Sequence, residues 1–359
     1  MKVINDFEKQ ISFPRILFFL CLCFFSLIQT AQSSQPVNSD EPSVDSYEKS
    51  EIDLTAIPYK IIHETYRETD GKGNWELFLM NADGSNSINL TQTPEIDELY
   101  PHASPDGTKI CFVADEGTSR RDKIRSVYYM NIDGTNRVNV AENTRQPCWS
   151  PDGKTIAYAK CEYERYSTRD YSSQGLFFYN IESGEHKQHP YNELKHLYNI
   201  CWSPNGEWLI ATVIGGMGYE HSNIAIEKNG TKIFDLEFPG CRPDVTSDGK
   251  RIVYCPDERV LWIADLDLTL SIPRVANRNV VFAASGVDIF QQQADWSPDG
   301  KFIAFGRGPQ AGGKGHYPVA PGNPAEGWDI CVGTMNGKWM QVTTDGKHNK
   351  EPDWVPIGK

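Results

Sequence analysis

One phrase recurs along this chain and restricts its fold more than any other feature. Trp149-Ser150-Pro151-Asp152-Gly153-Lys154 returns as Trp296-Ser297-Pro298-Asp299-Gly300-Lys301. Ser104-Pro105-Asp106-Gly107 and Trp202-Ser203-Pro204-Asn205-Gly206 are clear copies. Thr246-Ser247-Asp248-Gly249-Lys250 is a worn copy, and Trp354-Val355-Pro356-Ile357-Gly358-Lys359 is a shortened sixth. Counted from the Ser104 position, successive copies lie 46, 53, 43, 51 and 58 residues apart. A period of roughly 40–50 residues built from short β-patterns is the mark of a propeller blade.

Each unit reads as four strands. The first ends in the phrase, whose Asp-Gly closes a tight hairpin. The second follows directly, as in Thr155 to Tyr158 or Phe302 to Phe305. The third is an aromatic-rich run such as Glu76 to Met80 or Val127 to Met130, and it ends in another glycine turn. The fourth is short and polar, as in Ser87 to Leu90. Before the first phrase stand a second, a third and a fourth strand (Tyr59 to His63, Glu76 to Met80, Ser87 to Leu90). After the last fourth strand comes a single first-type strand, Glu351 to Val355. Three and one make a whole blade. The sequence therefore predicts an all-β, six-bladed propeller over residues 57–359 with 3+1 closure, which leaves no open sheet edge around the ring. The Trp at one slot in four of the six units is expected to pack between blades, where such rings bury ~150–250 Å² each.

The N-terminus reads differently. Lys2, Lys9 and Arg15 flank an apolar run of 13 residues, Ile16 to Ile28, followed by Ala31-Gln32-Ser33. That length suits the core of an export signal better than a membrane span. Residues 1–33 are read as a cleaved signal and 34–56 as an acidic, disordered linker. This places the expected product in the periplasm or outside the cell. Of the nine cysteines, Cys111, Cys148, Cys201 and Cys331 occupy core-strand slots of the repeat, where a thiol serves as a small hydrophobe. With a net charge of −13 and no Lys/Arg cluster, the chain offers no nucleic-acid footprint.

The phrases Met80-Asn81-Ala82-Asp83-Gly84 and Met130-Asn131-Ile132-Asp133-Gly134, together with Trp-Ser-Pro-Asp-Gly-Lys, make the chain resemble the TolB-type propeller family of WD-like repeats. That resemblance implies a six-bladed ring and a periplasmic role in protein–protein contacts at the cell envelope. TolB itself carries an additional N-terminal α/β domain, a pattern not read here. Prolyl-type oligopeptidases use similar repeats ahead of a hydrolase domain, but no Gly-x-Ser-x-Gly elbow occurs in this sequence. Oligogalacturonate lyases use related repeats with a Gln-x-x-His-x-His metal cluster. Here Gln291-Gln292-Gln293 lacks the histidines.

Function is expected on the face where second and third strands connect. Those connections are read as long at 115–125, 160–174, 214–222 and 306–327, and they carry Arg165, Tyr219, His221, Arg307 and His316. Long loops grouped on one end of a rigid scaffold usually carry function. Inner strands start on that face. Four places before each phrase stand Tyr100, Gln146, Asn199, Arg242, Gln293 and Glu351, and two places before stand His102, Cys148, Cys201, Asp244, Asp295 and Asp353. Period-2 alternation turns both sets toward the axial channel. The primary expectation is a monomeric, non-enzymatic scaffold for an envelope protein or cell-surface component, with no cofactor, resident metal or catalytic set assigned. The alternative is a carbohydrate-active propeller in which Arg145 and Arg242 clamp a uronate carboxylate of an acidic oligosaccharide. In that reading Tyr198 or His102 moves the proton.

Overall fold

A computed structural model describes residues 52–69, 71–169, 171–286, 288–310, 318 and 322–357. The proposed signal and most of the linker lie outside these residues. Twenty-four strands form six four-stranded antiparallel sheets. The only helical element among the described residues is a 3-10 turn, Leu54–Ala56. The molecule is an all-β, six-bladed propeller.

Blade 1 comprises β4 (Ile96–Ala103), β5 (Lys109–Glu116), β6 (Ile124–Asn131) and β7 (Val138–Glu142). Blade 2 runs from β8 (Thr144–Trp149) through β9 (Thr155–Cys161) and β10 (Ser173–Asn180) to β11 (His186–Gln188). Blade 3 runs from β12 (Leu197–Trp202) through β13 (Trp208–Gly216) and β14 (Tyr219–Glu227) to β15 (Ile233–Asp235). Blade 4 begins at β16 (Cys241–Val245) and blade 5 at β20 (Ile289–Trp296). The sixth sheet has the order β24-β1-β2-β3, joining Lys350–Pro356 to Tyr59–Thr69, Lys72–Asn81 and Ile88–Asn89. Across this seam Lys60 pairs with Val355 and Ile61 with Trp354. Ile57 and Leu54, the latter within the stretch expected to be linker, are buried against the same seam with Ile61, Met80 and Trp354.

The phrase makes its turn as its chemistry demands. In blade 2 the Ser150 hydroxyl donates to Asp152 and accepts from the amide of Thr155, while Gly153 takes φ +67°. The same Ser/Thr–Asp/Asn bond recurs at Ser104, Ser203, Thr246 and Ser297. The tryptophans then bury between blades. Trp202 lies 5.6 Å from Phe178 of the preceding blade, and Trp149 lies 6.1 Å from Tyr129 of its own predecessor. Cys111, Cys148, Cys201, Cys255 and Cys331 are buried thiols outside any disulfide.

Two expectations about strand lengths fail. The connection expected at 214–222 is a two-residue hairpin between β13 and β14, with Met217 at φ 54° and Gly218 at φ 88°. Glycine beside a residue tolerating positive φ lets both strands run on to a tight turn. Tyr219 and His221 are therefore strand residues. The outer strand of blade 4, β19 (Arg274–Ala283), is not short: it runs for ten residues, against two to five in the other blades.

Candidate functional site: a two-ended axial channel

Every inner strand carries the same backbone irregularity. Tyr100, Gln146, Asn199, Arg242, Gln293 and Glu351 all sit at positive φ, between 49° and 63°. At each of these places the ladder to the neighbouring strand slips register, as between Leu99 and His102 or Cys241 and Asp244. Each is a β-bulge. The left-handed conformation costs an L-residue ~1–2 kcal/mol, so six equivalent copies need a compensating structure. Four of the six precede a proline (Pro101, Pro147, Pro243, Pro352), which has no amide to leave unpaired. Proline inside a strand pattern was the sequence signal for these bulges. The simple alternation used above did not register it.

The compensation is a set of side-chain latches between blades. The Gln146 amide oxygen accepts from the backbone amide of Asn199 at 2.6 Å, and Gln293 accepts from Glu351 at 3.1 Å. Glu64, on β1, accepts from Tyr100 at 3.0 Å. One step further along the channel the lower positions repeat the device. Asp244 accepts from the amide of Trp296 at 2.8 Å, Asp295 from Trp354 at 3.1 Å, and Asp353 from Ala103 at 2.8 Å. These bonds satisfy inner-strand amides that would otherwise face an empty axis.

The two tiers differ in electrostatics. In the upper tier Arg242 reaches Glu351 with contacts of 2.7 Å to both carboxylate oxygens, and Gln293 donates to the same carboxylate at 3.0 Å. This plug ties blade 4 to blade 6 and leaves a cavity of about 110 Å³. Beside it, fully buried Lys350 lies 3.6 Å from buried Glu64 and 4.5 Å from the Trp75 ring, and donates to the carbonyls of Pro318 and Asn323. Burial pushes the Glu64 carboxyl up and Lys350 opposes it. In the lower tier the three aspartates touch: Asp295 is hydrogen-bonded to both Asp244 and Asp353. Burial and mutual repulsion raise Asp244 and Asp295 well above the carboxylate range, and burial raises Asp353 to about 7. His102 Nδ1 lies 3.7 Å from Asp353, and burial lowers its pKa. No group of three or more His, Cys, Asp or Glu side chains among the described residues is arranged to hold a metal ion.

The structure thus brings His102, Gln146, Asn199, Arg242, Gln293 and Glu351 together around the axis. It does not bring Arg145 there. That guanidinium is buried and donates to the carbonyls of Ser167, at 2.8 Å, and Arg169, bracing the blade 2 loop. The expected Arg145–Arg242 carboxylate clamp is therefore not assembled. Tyr198 is buried, its hydroxyl 3.5 Å from His221. Arg307 donates to Gln291 and lies over the Trp339 ring. Arg165 is exposed at a loop tip, and His316 lies outside the described residues. Sequence reasoning missed Glu64 and Lys350, which meet only because the chain ends share a sheet.

Beyond the lower tier the channel widens into a cavity of about 420 Å³ on the face of the Ser-Pro-Asp-Gly turns. Prolines of five phrase copies and all four repeat tryptophans line it, with His102 and the three aspartates as its floor.

No family model matches the chain. A segment of it is 30% identical over 125 residues to an uncharacterized peptidase, YuxL, of Bacillus subtilis; the match spans 33% of this chain and 17% of that protein. Among solved structures, a chain of the nidogen/laminin complex aligns with 84% of this chain and 100% of its own length, at a TM-score of 0.57 and 8% identity. Kuenenia stuttgartiensis hydrazine synthase aligns with 84% of this chain and 48% of its own, at a TM-score of 0.56 and 11% identity. Similarity at that level carries the propeller fold alone.

Proposed function

We propose that this propeller is an exported, non-enzymatic binding scaffold of the TolB type that engages a protein of the cell envelope through its long-loop face. The observation that carries the reading is a rigid, braced loop with an exposed aromatic and basic tip. The blade 2 loop between β9 and β10 is anchored at several points. The Tyr166 hydroxyl donates to Asp115 at 2.7 Å, Asp115 pairs with Arg125 through two bonds of 2.7 Å, and Arg145 holds the loop carbonyls. Tyr163 and Arg165 are left outside this brace, with Tyr163 58% exposed. Tyr and Arg are the side chains that most often anchor protein interfaces, and a loop already fixed in place loses little entropy on binding.

The test is cross-linking in the intact envelope followed by identification of the captured protein. The Tyr163→Ala/Arg165→Glu double variant should lose that protein while keeping the wild-type melting temperature. Retention of the same partner by the double variant would end this reading. The export step is checked separately by sequencing the N-terminus of the mature protein, which should begin at Ser34.

A further inference from the structure

The opposite end of the channel carries a second arrangement that the loop-face reading does not use. The turn-face cavity has an apolar collar made of phrase prolines, such as Pro105, Pro204 and Pro298, and the edges of buried indoles. Its floor holds three carboxyl groups, and none of its described lining residues is Lys or Arg. At about 420 Å³ it is larger than a single small ion needs and within the size range of organic-ligand pockets.

We propose that this funnel receives an arginine or lysine side chain presented by a partner polypeptide, its aliphatic stem against the proline collar and its charged head on Asp244, Asp295 and Asp353. Long basic side chains combine an apolar stem with a cationic head, the two chemistries the funnel offers in sequence from rim to floor. Guanidinium also donates in a planar fork, which suits several carboxyl oxygens at once.

The raised carboxyl pKa values mean that the floor carries protons where a bound cation would supply charge. Carboxyl groups in hydrogen-bond contact, as Asp295 is with both neighbours, share a proton, because adjacent like charges in a buried site cannot both stay ionised. The groups facing this tier are His102 from β4, Cys201 from β12 and one aspartate from each of β16, β20 and β24. Arg242, neutralised by Glu351, lies one tier above. A cation seated on the floor therefore displaces protons, and its affinity rises with pH.

The experiment uses the full chain and the peptide Gly-Gly-Arg-Gly-Gly, with its neutral citrulline counterpart as control, followed by titration calorimetry at pH 7. Two buffers of different ionisation heat are compared. The arginine peptide should bind about tenfold or more tighter than the citrulline peptide, with a buffer-dependent heat that reports proton release. Ser247→Lys places a cation at the exposed rim without touching the floor, and should weaken binding about tenfold while leaving the melting temperature unchanged. Asp295→Asn should weaken binding and abolish the buffer dependence. Equal binding of the two peptides, no detectable binding, or indifference to Ser247→Lys would overturn the proposal. Equal affinity for free butylguanidinium would overturn the commitment to a polypeptide. None of these outcomes bears on the loop face, whose variants carry a different readout.

Discussion

The two mouths of the channel show opposite solutions to the same problem. Both are ringed by inner strands whose amides need partners. The long-loop mouth meets the need with oxygens of Gln146, Gln293 and Glu64, and fills the remaining space with paired charge, Arg242 on Glu351 and Lys350 by Glu64. The turn mouth uses carboxyl groups whose pKa values burial raises, together with proline rings and indoles, and encloses the larger cavity. Elaborate sequence on a face is thus no measure of vacancy. Several of the charged groups that drew attention to the loop mouth are occupied by the protein itself, and the plainer face keeps the larger space.

The comparison can be broken at the Lys350–Glu64 pair, where the largest effect is expected. Lys350→Met leaves a buried carboxylate without its partner and should cost ~3–5 kcal/mol in urea unfolding. The double variant Glu64→Leu/Lys350→Met should recover much of that loss. A single-variant cost below ~1 kcal/mol would show that the plug is not a paired-charge structure.

The carboxyl tier predicts an effect of opposite sign to ordinary acid denaturation. Folded Asp353 keeps its proton up to about pH 7, while the unfolded chain releases it near the normal carboxylate value. In that window the folded state holds more protons, so stability is greatest at the acid end and falls as pH rises through about 7. The slope is ~1.4 kcal/mol per pH unit for each such carboxyl. Denaturant midpoints from pH 5 to 8 check this, and Asp295→Asn should flatten the slope. A tier that gains stability with rising pH would contradict the shared-proton geometry.

Arg242→Ala opens the upper plug and removes the guanidinium that contacts both Glu351 carboxylate oxygens. We expect a loss of ~1–3 kcal/mol, read as a lower melting temperature. Smallest is Tyr166→Phe, which removes one bond to an Asp115 still held by Arg125. It should cost ~0.5–1.5 kcal/mol and speed proteolytic nicking between residues 162 and 172, with the melting temperature nearly unchanged.

The ring was legible in the sequence because it is made of local, repeated rules. Asp-Gly turns, period-2 strands and a Trp slot recur often enough to count blades, and the leftover strands at the two ends supplied the sixth. The polar tiers were legible as positions, since alternation from the phrase turns Gln146, Arg242 and Glu351 inward. Their state was not. Whether Arg242 faces solvent or Glu351 depends on two strands a blade apart, which no local pattern encodes. Arg145 shows the same limit: one place before Gln146, it points away from the axis into the loop above blade 2. Tyr219 and His221 were misplaced because a Gly-rich stretch was read as a loop where it is the turn of a long hairpin.

The β1–β24 pairing sets an order on assembly. Lys60 finds Val355 only when residues 60–355 have all been made, so the ring cannot shut before then. Five wedges are able to form their local hairpins beforehand, but Glu64 gains Lys350 and Asp295 gains Asp353 only at the final docking. Ring closure and completion of the buried charge network are one event.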